Sequence, residues 1–181
     1  IFEAKGRPHF NPLIVHLPSL EAARRYAIVT PEVERLAQAF WPGPLTMVLP
    51  LREGHGLSPL VSAGLDTVAI RLPAHPVARA LLERFGGPVA APSANPSGKV
   101  SPTRAAHVMA GLGGRIEAVL DGGACAVGVE STILGTAPLR VLREGGVPRE
   151  AIEALLGQSL GADLDAKSVD GAERPLAPGQ L

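Results

Sequence analysis

The sequence predicts a mixed α/β domain: a twisted sheet of short strands with flanking helices, followed by a C-terminal linker. Three observations lead there. Short apolar runs recur between prolines and glycines, as buried strands require. Amphipathic stretches with helix start and stop signals lie among them. The two kinds interleave irregularly, which favours a mixed sheet over a strictly doubly wound one. With 18 prolines and 21 glycines in 181 residues, turns are frequent and elements short.

Ile1–Lys5 opens the chain as an apparent helix, and Leu13–Leu17, bounded by prolines, reads as a buried strand. Helices are expected at Ser19–Ala27 and Pro31–Ala39, the second with Thr30 as N-cap and Pro31 at its first position. Leu45–Leu49 and Thr67–Leu72 are strands joined by a Gly/Ser/Pro-rich loop. Pro76–Phe85 is an amphipathic helix stopped by Gly86-Gly87, and Pro88–Ala91 a short strand feeding a polar loop. Ser101-Pro102 opens a helix through Leu112, with Ser101 its N-cap. Strands at Ile116–Leu120, Glu130–Leu134 and Arg140–Arg143 complete the sheet, and Pro148–Leu156 is the last helix. Residues 1–156 thus form the domain. Residues 157–181 are rich in Gly, Ala, Asp and Pro without periodicity and read as a linker.

The composition narrows the function. Seventeen basic residues balance seventeen acidic ones, so no overall charge draws the chain to nucleic acid or an anionic membrane. No apolar run is long enough to cross a bilayer. Cys125 is the single cysteine, which excludes an intrachain disulfide and a cysteine-rich metal site, and suits a reducing cytoplasm. His9, His55, His75 and His107 lack metal-ligand spacing and read as surface or loop residues. Trp41 reads as a buried anchor, Met47 and Met109 as core fillers, and Cys125 as structural. There is no Gly-x-x-x-x-Gly-Lys-Ser/Thr loop, no Gly-x-Gly-x-x-Gly turn and no evident Ser-His-Asp set.

Two loops concentrate the chemistry. Ala91-Pro92-Ser93-Ala94-Asn95-Pro96-Ser97-Gly98 packs hydroxyls and an amide into a Pro-bounded turn, and Lys5-Gly6-Arg7-Pro8 puts two cations on a Gly/Pro turn. Each residue also has a plainer reading. Lys5 and Arg7 suit a helix end, where cations favour the dipole. Asn11 before Pro12, and Ser93 with Asn95, are common turn chemistry. His16 reads as a core histidine, Arg71 as an edge-strand or solvent-facing residue, Ser131 as a solvent-facing serine, and Arg143 as a partner of Glu144 or a cap on the strand end. A cation at a strand end is nevertheless where open sheets place ligands, and the helix start at Ser101 offers free N–H groups to a phosphate.

The motifs Lys5-Gly6-Arg7-Pro8 with Asn11-Pro12-Leu13, Phe40–Thr46, Ile70-Arg71-Leu72-Pro73, Pro92-Ser93-Ala94-Asn95 and Glu130-Ser131-Thr132 together resemble the Sua5/YrdC family of threonylcarbamoyl-AMP synthases, over roughly residues 1–156. Ala177-Pro178-Gly179 is similar to the linker of the longer Sua5 branch. The resemblance implies a YrdC-like fold. It implies formation of threonylcarbamoyl-AMP and pyrophosphate from L-threonine, bicarbonate and ATP, upstream of the t6A modification of tRNA. Mg²⁺ would arrive with the nucleotide, and tRNA or a downstream t6A transferase complex would be further partners.

By the same resemblance, Lys5 and Arg7 would serve catalysis on the ATP phosphates. Asn11, Thr67, Ser93, Asn95, Ser101 and Arg143 would also contact ATP. His16, Arg71, Ala91 and Ser131 would form the threonine pocket. The family's first strands, with a threonine contact, would lie before Ile1, and a His-Tyr segment and a C-terminal domain after Leu181, so the chain reads as a fragment. Two other readings stand beside this one: a carbamoyltransferase-type domain using carbamoyl phosphate, and a non-enzymatic RNA-binding module.

Overall fold

The computed structural model describes residues 1–160 together with Ala177 and Pro178. Most of the expected linker therefore lies outside the described residues. Helix α1 (Phe2–Lys5) ends at Gly6, whose φ of +60° supplies the left-handed stop. Strand β1 (Ile14–His16) follows, then a single turn, α2 (Leu20–Ala23), capped by Ser19 Oγ accepting from Ala22 N. The longer helix expected through Ala27 does not form, because Ala27 instead bridges antiparallel to Leu51. Helix α3 (Pro31–Phe40) has the expected start, with Thr30 Oγ1 accepting from Val33 N.

Strand β2 (Leu45–Pro50) is followed by α4 (Pro59–Ser62), a turn of helix within the stretch read as loop. Strand β3 (Thr67–Arg71), helix α5 (Pro76–Phe85) and strand β4 (Val89–Ala90) match their sequence signals closely. Helix α6 (Ala105–Leu112) does not begin at Ser101: its N-cap is Arg104, with extended backbone and no side-chain cap bond. Ser101 thus lies three residues ahead of the cap, and its hydroxyl makes no capping bond.

The strand expected at Ile116–Leu120 is absent, and residues 116–120 form no ladder. Their composition favours a strand, but strand propensity is realised only against a paired neighbour. Strands β5 (Thr132–Thr136) and β6 (Leu139–Arg143) and helix α7 (Arg149–Leu156) end the fold.

The six strands form one mixed sheet in the order β4-β1-β3-β2-β5-β6. Pairs β1–β3 and β2–β5 are parallel, the others antiparallel. Alternation sends Val15, Met47, Leu49, Val68, Ile70, Leu134 and Val141 to one face. There they join Ala23 of α2, Leu36 of α3 and Ile152 of α7 in the main core. Each large side chain so buried contributes about 1.5–3 kcal/mol. Trp41 belongs to this core, its Nε1–H donating to Leu45 O at 2.7 Å, and Met47 is fully buried. Met109 is not a core filler: it is 54% exposed on α6.

The opposite face carries a smaller cluster, Ile14, Val48, Ala69 and Ile133, covered by Ala177. That face also bears His16 and Arg71, which are paired in register where β1 and β3 end. A register shift between Ile133 and Leu134 sets Ile133 opposite Arg143 but Leu134 opposite Val141. The additional residue on β6 turns Arg143 onto the face of Ile133. In an unbroken ladder Arg143 would follow Val141 into the main core.

Candidate active site

His16 and Arg71 end the parallel strands β1 and β3, Arg143 ends β6, and Ser131 immediately precedes β5, which runs the other way. All four therefore gather at one end of the sheet, on the less covered face. The polar loop after β4 and the start of α6 close the opposite wall. The result is a cleft of about 390 Å³ lined by Arg7, His16, Arg71, Ala91, Ser93, Ser101, Ser131 and Arg143, with Glu130, Asp121, Cys125 and Pro178 at its margins.

Arg7 is braced by its own turn. Its Nη2 donates to Asn11 Oδ1 and Pro12 O, both at 2.6 Å, and its Nε to Asn11 O at 3.3 Å. Asn11 is thus a buried buttress for the guanidinium rather than a cleft-lining group. Lys5 is also buried, only 6% exposed, and does not line the cleft. Its ammonium donates to Ser93 O at 2.5 Å and to Asn95 O, while Ser97 N donates to Lys5 O at 2.8 Å. These bonds fasten the first helix to the Ser93–Asn95 loop. Asn95 is turned inward as well, its Nδ2 donating to Lys99 O at 2.6 Å and Pro96 O at 3.1 Å. Burial, then the neighbouring Arg7, pull the Lys5 ammonium below its ordinary pKa, while Glu130 opposes them.

Arg71 lies on an interior strand, not an edge, and donates from Nε to Gly43 O at 3.0 Å. Its two terminal nitrogens have no hydrogen-bond partner among the described residues, a free fork suited to a carboxylate. The His16 imidazole likewise has no hydrogen-bond partner among them. Burial, with help from Arg71, pushes its imidazole down to about 4, so it is neutral at pH 7. The arginines Arg7, Arg71 and Arg143 are each pulled down by burial, Arg71 further by Arg143, yet a guanidinium stays charged. The cleft is therefore a concentration of partly desolvated positive charge in a chain of zero net charge.

Ser131 is buried, not solvent-facing, and its Oγ lies 2.7 Å from Thr46 Oγ1. Arg143 donates to Ser131 O from Nη2 at 2.9 Å and to Ser131 Oγ at 3.2 Å, and pairs with Glu130. Glu144, the partner expected for Arg143, is bound by Arg149 instead. The turn after β6 folds back over these residues: Gly146 N donates to Glu130 O, and Thr132 Oγ1 exchanges hydrogen bonds with Val147. A Cβ on Gly145 would meet Glu130 O at 2.4 Å and Thr132 N at 2.5 Å, so only glycine allows that approach.

Thr67 is not gathered with the others. It starts β3, paired with Pro50 at the far end of the sheet, about 13 Å along the strand from Arg71. Cys125 is exposed on the cleft margin and has no structural burial. Glu130, the carboxylate among these cations, is not marked out by the sequence beyond being an acid inside the Glu-Ser-Thr motif at the end of a Gly-rich loop. Among the described residues no group of three or more His, Cys, Asp or Glu side chains could hold a metal ion.

The domain is thus a mixed α/β sheet with a cleft rich in arginine at one end. The model of the Sua5/YciO/YrdC family, described as telomere recombination, matches residues 1–145, and the chain belongs to that family. It is 49% identical to the threonylcarbamoyl-AMP synthase of Bacillus subtilis over 99% of this chain and 51% of the relative. It is also 49% identical to the Pyrococcus abyssi synthase, over 97% of this chain and 52% of the relative. The crystal structure of P. abyssi Sua5 complexed with L-threonine superposes with a TM-score of 0.88 at 49% identity, covering 99% of this chain and 52% of that one. Escherichia coli YciO, at 20% identity and a TM-score of 0.74 over 84% of this chain and 74% of its own, shares the fold. The chain thus spans about half the length of these two synthases. No described helix is long and apolar enough to cross a membrane.

Proposed function

We propose that this chain forms threonylcarbamoyl-AMP from L-threonine, bicarbonate and ATP, releasing pyrophosphate and supplying a t6A transferase complex that acts on tRNA in the cytoplasm. One observation carries the reading: Arg7, Arg71, Ser93 and Ser131, from four separate stretches of sequence, line a single cleft. The relation to synthases at 49% identity supports it.

The free Arg71 fork takes the threonine carboxylate, beside the neutral His16 and the Ser131 hydroxyl. Arg7, Ser93, Ser101 and Arg143 receive the triphosphate. Lys5, Asn11 and Asn95 act from behind, holding the Arg7 turn and the Ser93 loop in shape. The threonine amine combines with bicarbonate to give a carbamate and water. A carbamate oxygen then attacks the α-phosphorus of ATP, and the bond to the β-phosphate oxygen breaks as pyrophosphate leaves. The nucleophile and leaving group both belong to the substrates, so the protein aligns them and neutralises charge. Alignment alone is worth up to roughly 7–11 kcal/mol in favourable cases, and fixed cations at the phosphates supply more. Mg²⁺ would be held by the nucleotide phosphates rather than by side chains, since no group of three or more His, Cys, Asp or Glu stands together among the described residues, and it would add further charge neutralisation.

Isothermal titration with ATP and with L-threonine tests the reading. Wild type is expected to bind both, and Arg71→Ala to lose threonine affinity by tenfold or more while retaining ATP. A wild type that binds neither, or an Arg71→Ala protein that binds threonine as tightly as wild type, overturns it. Pyrophosphate release that needs threonine and bicarbonate, and that carbamoyl phosphate does not sustain, separates this reaction from a carbamoyltransferase.

A further inference from the structure

Glu130 occupies an unexpected place. Its Oε1 accepts from Ser101 Oγ at 2.6 Å and its Oε2 pairs with Arg143 Nη1, so one carboxylate bridges two groups assigned above to the nucleotide. Arg7 and Lys5 also feel its charge. Its backbone is fixed, since Glu130 O accepts from Gly146 N at 2.9 Å and Gly145 packs against it. Its side chain is freer, 42% exposed against 18% for Arg143. A carboxylate and a phosphate present similar oxygens to a guanidinium and a hydroxyl, so the two compete for the same donors.

We propose that Glu130 is an internal competitor of the substrate anion: its carboxylate and a phosphate contend for the Ser101–Arg143 pair, and it swings away when a phosphate takes those donors. The proposal rests on the nucleotide reading of the cleft. Glu130 offsets positive charge that would otherwise be crowded together, and it keeps Arg143 oriented. Every anion that takes the Ser101–Arg143 donors must displace the same carboxylate, so each binds more weakly by one common factor. The carboxylate thus sets how tightly such anions are held and takes no part in the reaction.

The test is isothermal titration of ATP and, separately, inorganic pyrophosphate and inorganic phosphate, with and without Mg²⁺, into wild type, Glu130→Gln and Glu130→Ala. Thermal melts check that the exposed substitutions leave the fold intact. Both variants are expected to bind pyrophosphate and ATP roughly three- to tenfold tighter, as removal of a bonded carboxylate from a partly exposed ion pair implies. Orthophosphate is expected to gain by a similar factor, because it meets the same tethered competitor at the same donors. If wild type binds ATP and the variants bind it equally or more weakly, the competitor role is wrong and the nucleotide reading survives. Weaker binding confined to Mg²⁺-containing buffer would assign Glu130 to the metal–nucleotide complex instead. If no variant and no wild type binds ATP or pyrophosphate, both readings fall.

Discussion

His16 offers a test whose size follows directly from its surroundings. Its imidazole is largely buried at the end of β1 beside Arg71, and its pKa is lowered from 6.5 to about 4. The unfolded chain therefore binds a proton that the folded chain refuses across that window, and folding stability falls as pH drops through it. Lowering a pKa by one corresponds to about 1.4 kcal/mol, so the whole effect is about 3 kcal/mol. Against pH 7, linkage puts the loss at about 1 kcal/mol at pH 5.5 and about 2.5 kcal/mol at pH 4.5.

Urea unfolding of wild type and His16→Gln at these three pH values isolates the contribution, because the other titrating groups are common to both proteins. The variant is expected to lose less stability than wild type on acidification, by those amounts. Proton NMR of the imidazole supplies the direct readout, a midpoint near the acid end of the window, moved upward in Arg71→Gln by less than the burial effect. Parallel pH dependences for the two proteins, or an imidazole titrating near 6.5, would refute the burial and charge assigned to this residue.

Other substitutions test other links. Lys5→Met removes the donors to Ser93 O and Asn95 O. It is expected to cost about 2–4 kcal/mol and, at about 2–4 °C per kcal/mol, to lower Tm by roughly 5–15 °C, with new protease cleavage between Pro92 and Gly98. A melting curve identical to wild type would show that this tie carries nothing. Gly145→Ala forces a Cβ into the backbone of Glu130 and Thr132. Calorimetry is expected to show about 1–3 kcal/mol of destabilisation, and ATP titration a loss of affinity as Arg143 and Ser131 shift. Trp41→Phe forfeits the bond to Leu45 O inside the core, which denaturant midpoints should register as about 1–3 kcal/mol. Arg143→Ala is expected to weaken ATP binding by tenfold or more, and unchanged binding would remove Arg143 from the nucleotide site.

Much of the scaffold is local and could be read directly. The start of α3 follows from Thr30-Pro31, the end of α5 from Gly86, and β1 to β3 from apolar runs short enough to be strands. These signals act within a few residues of the elements they delimit. The motifs carrying Arg7, Arg71, Ser93 and Ser131 could likewise be picked out by residue type. Their meeting in one cleft could not, because it depends on strand order and direction.

The tertiary structure made the remaining decisions. It denied Ile116–Leu120 a pairing partner, and it put Thr67 at the far end of the strand that ends in Arg71. It turned Lys5 and Asn95 inward, since a buried ammonium and amide take the nearest carbonyls rather than a distant ligand. It also shifted the β5–β6 register so that Arg143 faces the cleft. Sequence by itself determined which residues carry charge and hydroxyls and where the chain turns, because propensity and capping are short-range. Which of those groups share a cavity, which support it from behind, and which acid stands among the cations were settled by pairing and burial between segments far apart in the chain.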